Sequence, residues 1–352
     1  MVSYQTLCNI DSRLRQLKNR EDLPFGGLNV ILFGDLMQLP PCNGKPVFEQ
    51  PREHFPAPHL WRLFSLVELT ENMRQQGDTT FADLLNALRV GKINAQHIDL
   101  LKTKMLKDAT GEFAINKAIR VYPTVNLVAT FNQSVLDYYR AQGERMFRIR
   151  AQDQIVDARI NANINMDTAV PKDINCTGGY PRELEIFVGA RVMLRSNIDF
   201  EKGLVNGIIG NITEIIWPHF RRDQLYETDL PNLRIDFGRD GIHLIEPRSI
   251  QFPANYNQGT VERRMLPLIL CWACTVHKMQ GSTCDFAVVY LGNKLFAPGQ
   301  AYVALSRVRT LEGLRIEELD CAKLTDPKST CNEKALAEME RMRQYQPPDD
   351  DF

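Results

Sequence analysis

The chain has 352 residues, of which 44% are hydrophobic and 24% are charged, and its formal net charge is −1. This length allows two or three domains with cores of their own, and the composition is that of an ordinary globular protein. The near-zero charge argues against a histone-like protein or a basic-tail binder, but it does not argue against a local cationic groove. No apolar run approaches the roughly 18 residues that span a bilayer, and no signal peptide is expected.

The eight cysteines do not form a disulfide-like or zinc-like framework. Cys271 and Cys274 make one C-x-x-C, but no second pair with zinc spacing follows. We therefore interpret them as small apolar residues of a buried strand, and His54 and His59 as loop residues. No metal ligand is predicted in this chain, and free cysteines favour a reducing compartment such as the cytosol or nucleus.

The first 70 residues predict a helix and two strands. Ser3 is a candidate N-cap, and apolar residues then recur at helical spacing, namely Leu7, Ile10, Leu14 and Leu17. Residues 28–33 form a continuous apolar run, which is typical of a strand buried on both faces, and residues 63–69 predict a second strand. Because polar chemistry follows the first strand at Asp35, we predict an α/β sheet with ligands at the carboxyl ends of its strands.

Alternating helices and strands continue to residue 142. A helix is predicted around residues 81–88 and closed by Gly91, and another around residues 98–105. Residues 118–122 predict a strand, and residues 126–142 predict a helix that ends at Gly143.

The middle of the chain changes to short strands. They are predicted near residues 186–194, 212–217, 233–237 and 242–245. Asn206-Gly207 between apolar residues is a strong hairpin signal. This spacing favours a small β-barrel. The α/β pattern then returns with predicted strands at 268–274 and 286–291 and a helix at 301–308, followed by a charged helix at 333–344 and an acidic, disordered tail at 347–352.

The string G-D-L-M-Q-L-P-P, residues 34–41, follows the first predicted strand. The strand delivers Asp35 and Gln38 to a loop that two prolines stiffen. An amide can donate to a phosphate oxygen and accept from water at once, so Gln38 is a candidate phosphate sensor. The alternative is a strand-ending turn in which the aspartate caps a helix.

Two arginine-bearing strings lie far apart in the sequence. L-T-E-N-M-R-Q, residues 69–75, carries Arg74, and A-Y-V-A-L-S-R-V-R, residues 301–309, carries Arg307. The permanent charge and planar fork of arginine match phosphate oxygens. The alternative for Arg74 is a surface salt bridge, and Arg309 has an equally good structural interpretation.

The string V-H-K-M-Q-G-S-T, residues 276–283, lies between a predicted strand and the next polar segment. Its glycine allows a close backbone approach, and its hydroxyl and amide donors suit a nucleic-acid backbone that is held without base readout. The alternative is an ordinary polar turn. Thr124 and Asn126, between another strand and helix, are weaker candidates for the same contact.

In this order, the four strings resemble helicase motifs III to VI of the PIF-type DNA helicases, the RecD-like branch of superfamily one. V-G-A-R-V-M-L at 188–194 and G-L-V-N-G at 203–207 also resemble the small barrel of that family. The resemblance implies RecA-like, parallel-sheet P-loop motor domains, the first of them truncated, with an inserted β-barrel. The expected domains are a remnant of the first motor domain at 1–70, the second motor domain at 71–180 plus 266–325, the barrel at 181–265, and a charged helix with the tail at 326–352.

The resemblance also implies roles for individual residues. Gln38, Arg74 and Arg307 would be catalytic, with Arg307 as an arginine finger worth ~10³ or more in rate. The nucleotide-binding set would be Asp35, Gln38, Arg74, Gln280 and Arg307. The nucleic-acid-binding set would be Thr124, Asn126, His277, Lys278 and Thr283.

The sequence departs from the family in one respect. It contains no G-x-x-x-x-G-K-[ST] phosphate loop and no Asp-Glu pair, which the complete family member uses to bind ATP and Mg²⁺. We therefore expect no ATP hydrolysis by this chain alone. It is interpreted as a fragment, a mis-started gene model or a decayed copy, and residues 59–78 most resemble the helicase part of Helitron transposons.

The resemblance leaves two functions to distinguish. The first is an ATP-dependent DNA helicase, 5′-to-3′ by family, that acts on single strands and junctions in repair, recombination, telomere maintenance or Helitron transposition. It would work in the nucleus, with the mitochondrion as the alternative. The second is a catalytically dead nucleic-acid-binding remnant. Missing strands would also expose apolar surface, so the residues before about Glu71 are expected to be the least stable.

Overall fold

The computed structural model describes residues 2–54, 57–156, 165–217, 229–326 and 330–345. The chain divides into two compact units. Met1–Asp108 and Thr283–Phe352 form the first, here called the discontinuous unit, and Ala109–Ser282 forms the second, the central unit. The predicted domain bounds stay a prediction, and the predicted tail at 347–352 lies outside the described residues.

The helices, in chain order, are α1 (Tyr4–Lys18), α2 (Thr79–Arg89), α3 (Ala95–Lys102), α4 (Val125–Ala141), α5 (Met166–Ala169), α6 (Val276–Met279), α7 (Gln300–Leu305), α8 (Cys321–Thr325) and α9 (Glu333–Gln344). Short 3₁₀ helices lie at Pro24–Gly27, Arg52–His54, Leu60–Leu63, Gly111–Phe113, Ile174–Thr177, Gly238–Asp240, Asn255–Asn257 and Leu311–Gly313. The strands are β1 (Ile119–Tyr122), β2 (Phe147–Arg150), β3 (Gln152–Ile155), β4 (Glu183–Ile186), β5 (Arg191–Leu194), β6 (Ile209–Ile216), β7 (Asn232–Asp236), β8 (Ile242–Ile245), β9 (Arg248–Pro253), β10 (Thr260–Met265), β11 (Leu268–Leu270), β12 (Ala273–Thr275), β13 (Ala287–Leu291) and β14 (Leu314–Leu319).

The discontinuous unit begins with the predicted helix α1. Ser3 is its N-cap, and the Ser3 hydroxyl accepts a backbone N–H of the first turn at 3.2 Å. Leu7 is fully buried, but Ile10 and Leu17 are 40% and 66% exposed. The helical period was therefore predicted correctly, although the apolar face is only partly covered.

The two strands predicted at 28–33 and 63–69 are wrong. Residues 28–33 are extended without strand pairing, and Leu60–Leu63 is a short 3₁₀ helix followed by unpaired chain. Phe33 is 88% exposed and Val67 is 84% exposed. A buried strand requires neighbours on its edges, and no described strand pairs with either segment.

The rest of the discontinuous unit follows the predicted pattern. The apolar face of α2 is buried, and the Asp78 carboxylate caps the helix by accepting from the Phe81 N–H at 2.9 Å. Strands β13 and β14 pair in parallel. Helix α9 packs Met342 against the Trp61 ring, and the Trp61 indole donates to Glu338 at 2.7 Å.

The central unit combines a parallel strand pair with antiparallel sheets. Strands β1 and β12 are parallel, while β11, β5, β6, β7 and β8 form an antiparallel sheet in that order. The predicted Asn206-Gly207 turn is present, because the Ile208 N–H donates to the Val205 carbonyl at 3.1 Å. It does not form the expected two-residue hairpin, since a longer connection with a second turn between Asp199 and Leu204 links β5 to β6. Further antiparallel pairings join β3, β10 and β9, and β2 with β4.

The single strand predicted at 268–274 is divided in two. Strand β11 pairs antiparallel with β5, and β12 pairs parallel with β1, so the chain changes partner at Cys271 and Trp272. The Trp272 ring stacks near Phe187 and Tyr139 at the core of the unit. Cys271 and Cys274 are buried, as the interpretation as apolar strand residues requires. In the described ranges, no helix has the length and apolar content needed to cross a bilayer.

Candidate nucleotide and nucleic-acid sites

The loop that carries Asp35 and Gln38 is held in place by helix α2. The Asp35 carboxylate accepts from the Met37 N–H at 3.0 Å and from the Arg89 guanidinium at 2.9 Å. The Gln38 amide donates to the second Asp35 oxygen at 3.4 Å. Asp35 therefore shapes the turn and orients Gln38, while Arg89 neutralises the carboxylate.

Gly299 lets this loop lie directly against the start of α7. Its φ is +78°, and a Cβ at this position would lie 2.7 Å from the Met37 carbonyl oxygen and 3.2 Å from that of Gln38. Any side chain at Gly299 would push the loop away. The contact brings the loop at residues 34–41 against α7, which lies within the string at residues 301–309.

Arg74 and Gln75 bind the backbone that follows α7. The Arg74 guanidinium donates to the Thr283 hydroxyl and to the Ser306 carbonyl, both at 2.9 Å. The buried Gln75 amide donates to the Val308 carbonyl at 2.7 Å. The helix predicted over 301–308 ends at Leu305, because these carbonyls are bound by side chains of another segment instead of by helix N–H groups.

Arg307 is buried although it carries a charge. It is 2% exposed, and its guanidinium donates to the Val303 carbonyl and the Ser306 hydroxyl, both at 2.7 Å. Burial, and next the charge of Arg74, lower the pKa of Arg307 to about 10, so it stays protonated at neutral pH. In the described part of the chain, neither arginine forms an ion pair with a carboxylate.

Tyr302 connects these groups. Burial raises the pKa of its phenol, the charge of Asp35 raises it further, and the three nearby arginines act in the opposite direction. We call Asp35, Arg74, Arg89, Tyr302 and Arg307 the arginine cluster. Arg74 and Arg307 are neighbouring cations without a carboxylate partner among the described residues, and guanidinium groups of this kind bind oxyanions. The Asp35 carboxylate is occupied by Arg89, so the cluster has no free carboxylate to offer Mg²⁺.

The other predicted residues lie in the central unit, except Thr283. Thr124 caps α4 by accepting the Leu127 N–H at 3.4 Å, and Asn126 is exposed in the first turn of that helix. Gln280 follows α6 and is half-buried, and its predicted place beside the nucleotide stays a prediction. Thr283 belongs to the discontinuous unit, where its hydroxyl binds Arg74.

His277 and Lys278 lie on the short helix α6, directly after β12. The Thr275 hydroxyl caps this helix by accepting the Lys278 N–H at 3.4 Å. Burial lowers the pKa of both side chains, and the charge of Arg195 lowers that of Lys278 further. A half-buried cation at the end of a parallel strand is a plausible phosphate contact.

Sequence reasoning gave no role to Arg89 and Tyr302 of the arginine cluster or to the neighbouring Gln75, and it left Arg309 open. Arg89 was not assigned because it lies on α2, outside the motif strings. Gln75 was quoted in its string without a role. Arg309 was left open between a phosphate contact and a structural ion pair. It pairs with Asp285 at 3.0 Å on the surface, which accords with the structural ion pair.

Comparisons with known proteins agree with this arrangement. Residues 1–99 match the family model of the PIF1-like helicases, and residues 171–215 match that of the DNA helicase Pif1 2B domain. The ATP-dependent DNA helicase PIF1 of Danio rerio is 32% identical over 91% of this chain and 45% of the relative. That of Homo sapiens is 31% identical over 100% of this chain and 50% of the relative. These matches support the predicted PIF1-type family for this chain.

Solved Pif1 structures share the fold of this chain. Pif1 from Candida albicans, at 23% identity, covers 98% of this chain and 75% of its own with a TM-score of 0.73. Bacteroides Pif1 in complex with ADP-AlF3 and ssDNA is 27% identical, covers 99% and 74%, and has a TM-score of 0.68. The predicted family and the α/β, RecA-like fold class are confirmed. The chain spans about half the length of the curated relatives that it matches.

Proposed function

We propose that this chain is the nucleotide-sensing and strand-binding part of an ATP-dependent DNA helicase. The observation that carries the proposal is the arginine cluster, in which Arg74 and Arg307 are held together by motif backbone and have no carboxylate partner among the described residues. Two adjacent cations, of which the buried Arg307 carries a desolvation cost, are best stabilised by a polyanion. The phosphates of ATP supply such an anion, and their hydrolysis supplies the energy for translocation.

Arg307 and Arg74 of the cluster, and Gln38 beside it, then have separate tasks. Arg307 stabilises negative charge on the phosphoryl group, and Arg74 reports its presence to Thr283 through the hydrogen bond between them. Gln38, oriented by Asp35, is the polar group of the motif III loop that responds to the same phosphate. None of these residues offers a general base.

The strand contacts follow from the sequence motifs and from the DNA that solved relatives bind. One Bacteroides Pif1 structure holds ssDNA with ADP-AlF3, and a further solved structure concerns DNA unwinding at forked dsDNA by two coordinating Pif1 helicases. We infer that Thr124, Asn126, His277 and Lys278 serve a single strand or junction in this chain. The 5′-to-3′ direction, the roles in repair, recombination, telomere maintenance or Helitron transposition, and the nuclear or mitochondrial location are inferred from the family alone.

The test of the catalytic role supplies the phosphate loop that the 352 residues lack. The corresponding segment of the human PIF1 relative is joined ahead of this chain, and DNA-stimulated ATP hydrolysis is measured. Arg307→Ala should lower kcat by about 10³-fold. The matched control Arg309→Ala, which removes a surface arginine, should leave kcat close to that of the unchanged fusion.

Two results would count against the proposal. If the Arg307→Ala fusion hydrolyses ATP at the normal rate, Arg307 does not stabilise the phosphoryl group as proposed. A fusion that binds oligo-dT tightly, but whose affinity does not respond to ATP, would favour the alternative of a nucleic-acid-binding remnant.

A further inference from the structure

Arg195 follows β5, and its charge is partly buried and has no ion-pair partner among the described residues. Its Nε is buried without a hydrogen-bond partner. The guanidinium lies against the backbone of Gly179, where a Cβ would be 2.8 Å from two of its nitrogens. Burial lowers the pKa of Arg195, so the fold carries a desolvation cost to keep this cation in place.

The same strand is joined to the segment that bears Lys278. The Arg195 N–H donates to the Pro267 carbonyl at 2.8 Å, and β5 pairs with β11 in the register Leu194 to Leu268. From β11 the chain runs through β12 directly into α6 and Lys278. The two cations lie near enough for the charge of Arg195 to lower the pKa of Lys278.

No described carboxylate neutralises either cation. Neither Arg195 nor Lys278 has an ion pair in the described ranges, and their two positive charges repel each other. The hydroxyl of Ser196, the next residue after Arg195, is also buried without a partner. An arrangement that is unfavourable without a ligand, and that consists of hydrogen-bond donors, fits an anion.

We propose that Arg195 and Lys278 together bind one phosphate of the single-strand backbone, with Arg195 as the previously unassigned partner. This inference rests on the proposed function, because that function makes a nucleic-acid strand the source of the phosphate. Arg195 supplies a planar fork and Lys278 a point charge, a pair that grips a phosphate without reading the base.

The first test measures binding of fluorescein-labelled oligo-dT to the full chain by anisotropy over a series of KCl concentrations. Arg195→Met should weaken binding about tenfold and reduce the slope of log K against log [KCl] by about 0.7, the value for one single-strand phosphate. Arg248→Met is the matched control, since Arg248 is an exposed arginine on β9 of the same unit. Equal effects of the two substitutions would overturn the inference.

The second test does not depend on DNA. Without ligand, Arg195→Met should melt no lower than the unchanged chain, because an unpaired buried charge is removed. Inorganic phosphate should raise the melting temperature of the unchanged chain more than that of the variant. If Arg195→Met does not fold, Arg195→Lys replaces it, with a smaller loss expected because the charge remains.

The two tests separate the two proposals. If the unchanged chain fails to bind oligo-dT but the phosphate effect depends on Arg195, the anion site stands and the proposed DNA function falls. If phosphate stabilises both chains equally and DNA binding is unaltered, the site itself is overturned. A phosphate effect that depends on Arg195, together with unaltered DNA affinity, would overturn the assignment to a strand and indicate free phosphate as the ligand.

Discussion

At the scale of single residues, the Asp35–Arg89 pair is the support of the motif III loop. Both side chains are less than a third exposed, at 18% and 29%. Arg89→Met leaves the Asp35 carboxylate without its cation, so we expect the free energy of unfolding to fall by about 1–3 kcal/mol. Urea titration measures this loss.

The exposed pair of Arg309 with Asp285 is the matched control for that experiment. Its side chains are 53% and 56% exposed, so solvent screens the attraction. Arg309→Met should cost about 0–1 kcal/mol. Equal losses for the two arginines would show that Asp35 does not depend on Arg89.

His277 gives the stability of the central unit a dependence on pH. Burial lowers its pKa below the ordinary 6.5, so the unfolded chain takes up the proton more readily than the folded chain. Stability should therefore fall as the pH drops below about 6.5, and His277→Gln should reduce this fall. Melting temperatures across the weakly acidic to neutral range test this, and identical curves for both proteins would contradict it.

Residues inside a recognisable motif string could be proposed from the sequence. Residues outside such strings, whose contacts are distant in sequence, could not. Arg74 and Arg307 stand in recognisable strings, so the order of residues along the chain was enough to assign them. Arg89 lies on helix α2 and Arg195 directly follows strand β5, and the sequence around neither residue forms a motif. Their importance depends on Asp35 and Lys278, which are close to them only in the fold.

At the scale of elements, the segments at 28–33 and 64–69 are unpaired chain in which several apolar side chains face solvent. Because Phe33 and Val67 are more than 80% exposed, Phe33→Lys and Val67→Lys should each change the free energy of unfolding by less than about 0.5 kcal/mol. Both should also reduce self-association, measured by light scattering. Leu7→Ala is the buried comparison, with an expected cost of about 2–5 kcal/mol, and a comparable loss for either lysine variant would be contrary to the exposed arrangement.

The same segments should be the first that a protease cuts. They lack strand pairing, and unpaired exposed backbone opens at little cost in free energy. Limited proteolysis followed by mass spectrometry should therefore place the earliest cuts before Glu71. An earliest cut within 181–265 would contradict this expectation.

Periodicity identified most elements but could not supply their partners. The apolar period of α2 and the Asn206-Gly207 turn are local signals, and both are present, although the turn does not join two paired strands as a hairpin would. A strand also needs a neighbour, which explains the failure at 28–33. The change of partner between β11 and β12 was invisible for the same reason, since both halves are equally apolar.

At the scale of the whole molecule, charge and exposed apolar surface act together. The sequence has a net charge of −1 and a pI of about 6.6, so electrostatic repulsion between copies is weakest near neutral pH. We expect dynamic light scattering to show the most self-association near this pI and less at a clearly alkaline pH. A particle size that is constant across this range would count against the expectation.

The discontinuous unit has a consequence for how the protein is made. Arg74 binds the carbonyl of a residue 232 positions later, whereas the central unit is one uninterrupted segment. On the ribosome, residues 109–282 can fold as soon as they have emerged, while α2 and the Arg74 segment must wait until their partners in and after α7 have been translated. During that interval the Arg74 side chain and the apolar face of α2 lack these partners, so the yield of native protein depends on how fast synthesis passes residue 308.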